Sequence, residues 1–256
     1  MSTYMYDFLI SIEDNWQEVN ILISKAKEVK EPDENLYNAL CRSITILIVS
    51  HMEGFMKNLV KNYIDELNSK FEFKDLTKGV QRTYCLKYIG DENQTDKIEK
   101  LIEKFEEYNC NLSHEAFIFD KNKNPNVGII QSIFKNFGIN KVFTRFNKSD
   151  ILNKVFENSL FRTNEIKETL KNDLKDRLSS FPFNLDEVID KYELKKENTG
   201  STLWEDFIKD MNQKRHNIVH GNEFSNIDDI HSLELRKEKI IVFQYVLILI
   251  LSSSIK

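Results

Sequence analysis

Apolar residues recur with a helical period near the N-terminus. Between residues 4 and 29 they are spaced alternately three and four positions apart, which places them on one face of a helix. These residues are Leu9, Ile12, Trp16, Val19, Ile23 and Ala26. After the acidic, proline-containing segment KEPDEN (30–35), a second helix is predicted from about Leu36 to Leu67. Its middle, ITILIVS, is apolar on all sides, which favours a central position in the fold.

The middle of the chain is less regular. Charged amphipathic helices are predicted for residues 97–108 and 164–178, and a shorter helix for residues 128–139, where Gly138 is expected to stop it. Residues 149–160 open with a pattern that is typical of a helix N-cap.

Two segments of the middle region carry turn and linker signals instead. Residues 114–128 are predicted to form a short strand or extended piece that ends in a polar turn. Residues 193–201 are predicted to be a polar linker.

The helical pattern sharpens near the C-terminus. In TLWEDFIKDMNQKRHNIVHG, Thr202 and Glu205 have the spacing of a capping box, and Gly221 fits the position that ends a helix. A last helix, from roughly Ile227 to Ser253, contains the apolar run IIVFQYVLILIL. This run is shorter than the roughly 20 residues that span a bilayer. It therefore predicts a buried core helix, and no membrane contact is expected.

The composition favours the same fold class. The chain has 256 residues but only 7 Gly and 3 Pro, so tight turns are few and long helices are expected. We predict a mostly α-helical bundle that forms a single domain over residues 1–256. Its core is assigned to about 1–70 and 201–256, and a long, mainly helical insertion to about 71–200.

Net charge and cysteine content restrict the expected class of protein and its cellular compartment. The net charge of −5 argues against a wholly basic nucleic-acid coat protein, but it allows a local basic cleft. Cys41, Cys85 and Cys110 lie far apart and without CxxC spacing, as expected for reduced thiols. The start of the chain lacks the basic segment of a signal peptide. We expect a cytoplasmic protein.

The segment KRHNIVHGN, residues 214–222, brings an arginine and two histidines to the predicted end of a helix. His216 and His220 are four residues apart, so they could share a helix face as metal-chelating pairs do. However, Asn217 stands where the HExxH motif of metalloproteases has its glutamate, and no third ligand lies nearby in the sequence. We therefore expect no bound metal.

Two explanations of these basic residues stay open. In the first, cations at a helix C-terminus complement the helix dipole, by about 0.3–1 kcal/mol each. In the second, they form a functional site, because Arg215 continues an apolar stripe, where burial of a guanidinium is costly without a partner. The other members of that stripe are Trp204, Ile208, Met211 and Ile218.

Glu53 raises the same question on the second predicted helix. It shares an apolar stripe with Ile46, Val49, Val60 and Ile64. We hypothesise that Glu53 pairs with Arg215 or orients a histidine. The alternative is that the helix exposes Glu53 at a groove.

The hexapeptide RHNIVH, residues 215–220, consists of an arginine, a polar residue, three further residues and a histidine. At a helix end this pattern resembles the signature of the HEPN superfamily, helical-bundle proteins common in bacterial toxin–antitoxin and defence systems. The segment LIVSHMEGFMKNLV (47–60) resembles the second helix of one HEPN nuclease branch from defence loci. The resemblance covers roughly the first 70 and the last 55 residues.

This resemblance implies metal-independent RNA cleavage, without a cofactor, by a homodimer in which two motifs face each other. Carried onto this chain, it makes Arg215 and His220 the catalytic pair and His216 a supporting residue. It also implies an RNA substrate, such as transfer or messenger RNA, a role as a toxin or antiphage defence effector, and a cognate antitoxin or sensor protein as partner.

The chemistry of RNA cleavage suits these residue types. RNA supplies its own nucleophile, the 2′-OH, and histidine, with an ordinary pKa of about 6.5, can act as base or acid near neutral pH. Arginine stabilises the charge that develops on the phosphate oxygens. Lys214 is interpreted as an RNA phosphate contact and Asn217 as a supporting hydrogen-bond partner. For Lys214 the alternative, an ordinary exposed lysine, is the more usual case, and for Asn217 solvation at the helix end is an equal alternative.

Two other classes of function remain as alternatives. HEPN-like bundles also serve as non-catalytic RNA-binding or dimerisation modules, and a purely structural adaptor would leave Arg215 and His220 without a role. The loop KNKNPN, residues 121–126, is open to interpretation as an RNA contact or a solvated turn.

Overall fold

The computed structural model describes residues 2–118, 125–146, 149–195, 202–221 and 228–255. Within these ranges the chain is helical and contains no strand, which confirms the mostly α-helical prediction. The helices are α1 (Tyr4–Ser11), α2 (Gln17–Val29), α3 (Glu34–Lys70), α4 (Lys78–Ile89), α5 (Thr95–Glu107), α6 (Val127–Asn136), α7 (Val142–Phe146), α8 (Asp150–Asn153), α9 (Leu160–Leu178), α10 (Asp186–Lys191), α11 (Leu203–Val219) and α12 (Ile230–Ser252).

The single first helix predicted for residues 4–29 is wrong, because the α-helix is interrupted at residues 12–16, which form the corner between α1 and α2. α1 ends at Ser11 and α2 begins at Gln17, with a 3₁₀ turn at Asp14–Trp16 between them. α12 holds this corner in place. The indole N–H of Trp16 donates to Gln244 at 3.1 Å, and the hydroxyl of Tyr245 donates to the carboxylate of Glu13 at 2.9 Å.

α3 runs through the length of the bundle and extends the predicted helix by a few residues at each end. Its start is capped by Asp33, whose side chain accepts a hydrogen bond from the backbone N–H of Leu36. Among the described helices, α3 alone is long and apolar enough, by length and composition, to cross a membrane. Core helices meet the same criterion, and α3 packs against α1, α2, α11 and α12.

α12 lies parallel to α3 and is buried on nearly all sides, as its apolar sequence predicts. At one end the backbone N–H of Ile230 donates to the hydroxyl of Tyr37 at 3.0 Å. At the other end the hydroxyls of Tyr63 and Ser254 are 2.8 Å apart. α3 and α12 therefore lie side by side from one end to the other, so that each position along α12 has a neighbouring position along α3.

Residues from the middle of the chain share this hydrophobic core. α9 packs along α12 and against α1. A buried ion pair joins the two helices, with Lys167 Nζ 2.9 Å from the Glu238 carboxylate. Buried charges are stable only when they are paired in this way. The proposed boundary between a core and an insertion at residues 71–200 stays a prediction.

Two boundaries in the middle region differ from the prediction. In the described part of 114–128 no strand is present: His114–Ala116 forms a 3₁₀ turn and α6 begins at Val127, whereas residues 119–124 lie outside the described residues. The helix predicted from 164 begins at Leu160, where Ser159 caps it after Asn158 turns the chain in the left-handed region. Short polar side chains that bond the backbone locally favour such interruptions.

Other details of this region agree with the sequence. Gly138 ends the helix before it with a φ of +82°, a conformation that glycine adopts without strain. Ser149 caps α8 through a hydrogen bond from the N–H of Leu152. The predicted linker 193–201 lies largely outside the described residues, as do residues 121–124 of the loop KNKNPN.

Candidate functional site

The first half of α11 anchors the site to the core. The side chain of Thr202 accepts from the N–H of Glu205 at 3.0 Å, and the Glu205 carboxylate accepts from the N–H of Thr202 at 2.8 Å, which confirms the capping box. Trp204 is fully buried and stacks on Phe243 of α12, with ring centroids 5.4 Å apart. This half of the helix therefore fixes the direction in which its other end points.

α11 ends at the motif, as predicted. The backbone N–H of His220 still bonds the carbonyl of His216 at 3.0 Å, whereas the next residue, Gly221, turns away with a φ of +69°. Its N–H donates to the carbonyl of Ile218 at 3.2 Å and so closes the helix end. A residue with a β-carbon would be strained in this conformation, which explains the glycine.

The two histidines of the motif lie side by side on the surface. His216 and His220 are both exposed, and their ring centroids are 4.3 Å apart with the ring planes tilted by 49°. Their spacing of four residues brings them to the same face of the last helical turn. Two imidazoles are therefore within reach of one substrate group in solvent.

Arg215 lies half-buried next to this pair. Among the described residues, its Nε has no hydrogen-bond partner although the atom is buried. A buried donor without a partner costs free energy, of the order of 1–3 kcal/mol. The described residues therefore leave part of the hydrogen-bonding capacity of this guanidinium unused.

The expected pairing of Glu53 with Arg215 is wrong. The Glu53 carboxylate accepts from Lys57 Nζ at 2.5 Å, one turn along the same helix. Lys214, the neighbour of Arg215, pairs with Asp228 just before α12. Ile230, the first residue of α12, bonds Tyr37 near the start of α3. Arg215 therefore lies near the start of α3. Glu53 lies more than four turns beyond Tyr37, roughly 24 Å along α3. Within one chain it therefore neither contacts Arg215 nor orients a histidine.

Lys214 is engaged in a network of charges. Its Nζ lies 2.6 Å from the carboxylate of Asp228 and 3.7 Å from that of Asp210. Arg236 of α12 also binds Asp210, at 2.8 Å. The four charges compensate one another and tie the start of α12 to the end of α11. The structure thus gives Lys214 a local structural role, and a phosphate would have to compete for it.

Asn217 makes a contact on its own helix. Its side-chain oxygen accepts from the amide of Gln213 at 2.7 Å. This contact holds the side-chain amide of Asn217 in one orientation near the motif.

The structure adds participants that the sequence reasoning missed. Asp210, Asp228 and Arg236 surround Lys214, and only the spacing of Asp210 and Lys214 by one turn was a visible signal. Among the residues that the structure describes, no group of three or more His, Cys, Asp or Glu side chains is close enough to hold a metal ion.

The fold and the site define a class of protein: an α-helical bundle that displays an arginine and two histidines at the end of a core-anchored helix. The model of the family RiboL-PSP-HEPN matches residues 10–253, so the chain belongs to this HEPN family. The match includes the middle region as well as the two ends. It makes the protein an RNA-related domain of the HEPN type. No curated protein and no solved structure matches the chain.

Proposed function

We propose that the protein is a metal-independent endoribonuclease that acts in the cytoplasm as a toxin or antiphage defence effector. The observation that carries the proposal is the exposed pair His216–His220, with rings 4.3 Å apart, next to the half-buried Arg215. Both groups sit at a helix end that the core holds in place. Membership of the HEPN family supports RNA as the substrate.

The proposed reaction uses the nucleophile that RNA carries. A histidine takes the proton of the 2′-OH, whose oxygen attacks the neighbouring phosphorus. The bond from phosphorus to the 5′-oxygen breaks, and a protonated histidine gives its proton to that oxygen. The products are a 2′,3′-cyclic phosphate and a free 5′-OH. The Arg215 guanidinium binds the phosphate oxygens as their negative charge grows.

In this proposal Arg215 and His220 are the catalytic residues, and His216 and Asn217 support them. Lys214 and Glu53 have no direct part within one chain, because each is already paired inside it. No cofactor takes part in any of these steps.

The proposed active form is a homodimer in which two motifs face each other. The motif is open to solvent, and apolar side chains near it are exposed: Val219 by 49% and Leu36, at the same end of the bundle, by 40%. A facing protomer would cover these side chains and exclude water from the reacting phosphate, which strengthens electrostatic stabilisation. A cognate antitoxin or sensor protein is the second partner that we propose.

The first test is incubation of purified protein with total cellular RNA in EDTA. The wild type is expected to give discrete fragments with 2′,3′-cyclic phosphate ends. Arg215→Ala and His220→Ala are expected to lose at least about 10²-fold in rate, as is usual when a general acid, a base or a charge-stabilising donor is removed.

His114→Ala is the matched control, because His114 lies in a 3₁₀ turn of the middle region, far from the motif. It should cut like the wild type. Equal cleavage by wild type and His220→Ala would show that the assigned site is wrong.

The second candidate function is a non-catalytic RNA-binding or dimerisation module. It is favoured by the exposure of His216 and His220 on the surface of one protomer. Expression in cells separates the two. A nuclease toxin arrests growth and loses this effect in Arg215→Ala and His220→Ala, whereas a binding module keeps its main phenotype in both.

A further inference from the structure

A cavity of about 360 Å³ lies under the corner between α1 and α2, against the middle of α3. Its size is at the lower end of the range for small-molecule sites. His51 of α3, which borders it, lies about four turns beyond Tyr37, roughly 20 Å along the helix. The cavity is therefore separate from the motif at the end of α11.

The floor of this cavity is aromatic. Phe8 of α1 and Phe55 of α3 stack there with ring centroids 5.5 Å apart, and Trp16 also lines the cavity. Flat, apolar surfaces of this kind favour a planar ligand, because aromatic rings stack on one another.

Gly54 has no explanation in the packing of the helix. It sits in the interior of α3, where glycine is among the least favourable residues. A β-carbon added to it would meet no atom within 4 Å, so neither a close neighbour nor a turn requires the glycine. It lines the cavity, however, and its lack of a side chain leaves room for a ligand against the helix backbone.

His51 contributes a polar atom without a partner. Its ring packs on Trp16 with centroids 5.0 Å apart, and its Nε2 is buried and forms no hydrogen bond. The carboxylate of Glu18 is 3.9 Å away, beyond hydrogen-bond distance. Burial lowers the pKa of His51, and Glu18 opposes this only partly. His51 thus lines the cavity with a neutral imidazole whose Nε2 is an unused hydrogen-bonding group.

The charges around the cavity restrict the ligand further. Neither lysine nor arginine lines it, and Glu18 is its one carboxylate, so a phosphate would be repelled. The rim instead offers side-chain amides and a hydroxyl, from Asn15, Ser50 and Asn58. These groups both donate and accept hydrogen bonds, which suits the edge of a heterocycle.

We propose that this cavity binds a neutral, planar heterocycle of the nucleobase type, stacked on the aromatic floor and hydrogen-bonded to His51 Nε2. Two sources share this chemistry: a free nucleoside and an unstacked base of a single strand. The proposal does not depend on RNA cleavage, because binding is measured without it.

The test is equilibrium dialysis of the full chain with adenosine, with guanosine and with a short oligodeoxyadenylate, which lacks the 2′-OH and so cannot be cut by the proposed reaction. The wild type is expected to bind at least one probe with a Kd below about 1 mM. Gly54→Leu fills the cavity and His51→Phe keeps the ring without its nitrogens. Each should weaken binding at least about tenfold.

Matched variants separate binding from folding. Lys61→Leu places the same new side chain at an exposed position of α3 outside the cavity and should bind like the wild type. Gly54→Ala should raise the melting temperature, since alanine favours the helix, and yet weaken binding.

Each outcome decides the proposal. Binding of a nucleoside supports a free ligand, and binding of the oligomer alone supports a strand base, provided that Gly54→Leu weakens that binding at least about tenfold. No saturable binding of any probe to the wild type, or equal binding by Gly54→Leu, overturns the proposal.

Discussion

For Arg215, the sequence predicted that the side chain needs a partner but did not identify that partner. Its place in an apolar stripe indicated that the guanidinium needs a partner. The structure supplies none to its Nε from the described residues, and the expected partner, Glu53, bonds Lys57 instead. The described residues therefore leave part of the hydrogen-bonding capacity of the guanidinium unused, and a phosphate-binding role for Arg215 belongs to the proposed function.

His216 gives a prediction at this scale. If it only supports His220 through a polar side chain, His216→Asn should keep the cleavage rate within about threefold, because asparagine also offers a donor and an acceptor. His216→Ala should lose about tenfold or more, because it removes the polar group. The measurement is the initial rate of RNA cleavage in EDTA.

The opposite result would give His216 a larger role. A loss of about 10²-fold or more in both variants, with one limb of a bell-shaped pH–rate profile missing, would mean that His216 itself transfers a proton. His231→Asn, at an exposed histidine on α12, serves as the control for general effects of the exchange.

At the scale of elements, the corner between α1 and α2 was hidden from the sequence pattern. The apolar spacing continues through residues 4–29 because Ile12 and Trp16 remain buried on both sides of the turn. The groups that contact this interruption are distant in sequence: Gln244 and Tyr245 of α12, and Lys171 of α9, bind Trp16 and Glu13. The spacing of apolar residues shows which face of a helix is buried, but not whether the helix is continuous.

The Glu13 carboxylate, at the corner between α1 and α2, should make the free energy of unfolding depend on pH. Burial acts to raise the pKa of Glu13, but the hydrogen bonds from Lys171 and Tyr245 outweigh it, and the pKa falls below the ordinary 4.5. The ionised carboxylate therefore stabilises the fold above pH 4.5, and this contribution is lost as the pH falls through the lowered pKa.

Glu13→Gln should accordingly reduce the free energy of unfolding at pH 7 by roughly 1 kcal/mol, a modest value because the side chain is one-third exposed and the pair is screened. Urea unfolding at pH 7 and at pH 3 measures it, and the difference from wild type should shrink at pH 3. Glu28→Gln, at a surface pair with Lys25, is the control. A difference that stays constant with pH would contradict the assignment.

At the scale of the whole molecule, the middle region and the two ends form one packing unit. α9 packs along α12, and the family match runs from residue 10 to 253. The helices of the first 70 and the last 55 residues, which the sequence resemblance covers, share one hydrophobic core with α9.

The proposed composite site predicts complementation between protomers. Arg215→Ala and His220→Ala chains, coexpressed with different tags and purified as a mixed dimer, hold one intact arginine and one intact histidine on opposite chains. If the two motifs act together, this dimer should cut RNA at least about tenfold faster than either variant alone.

A site that is complete within one protomer predicts the reverse. The mixed dimer then contains no intact motif and should be as inactive as the separate variants. A monomeric wild type at the concentration of the cleavage assay would also contradict the composite site, which size-exclusion chromatography with light scattering shows directly.

The sequence by itself determined the helical class, the capped start of α11, its end at Gly221 and the buried character of α12. These features are local: they depend on side chains within a few residues of one another and on the spacing of apolar positions. The same local rules also brought His216 and His220 to one face of one turn.

Tertiary structure alone decided the contacts between elements. The contacts of Trp16 with α12, the distance that separates Glu53 from Arg215, the charges around Lys214 and the cavity beside Gly54 all depend on how helices distant in sequence pack together. The spacing of apolar residues specifies which face of each helix is buried. Which residues of two distant helices lie beside each other depends on how all the buried faces pack together.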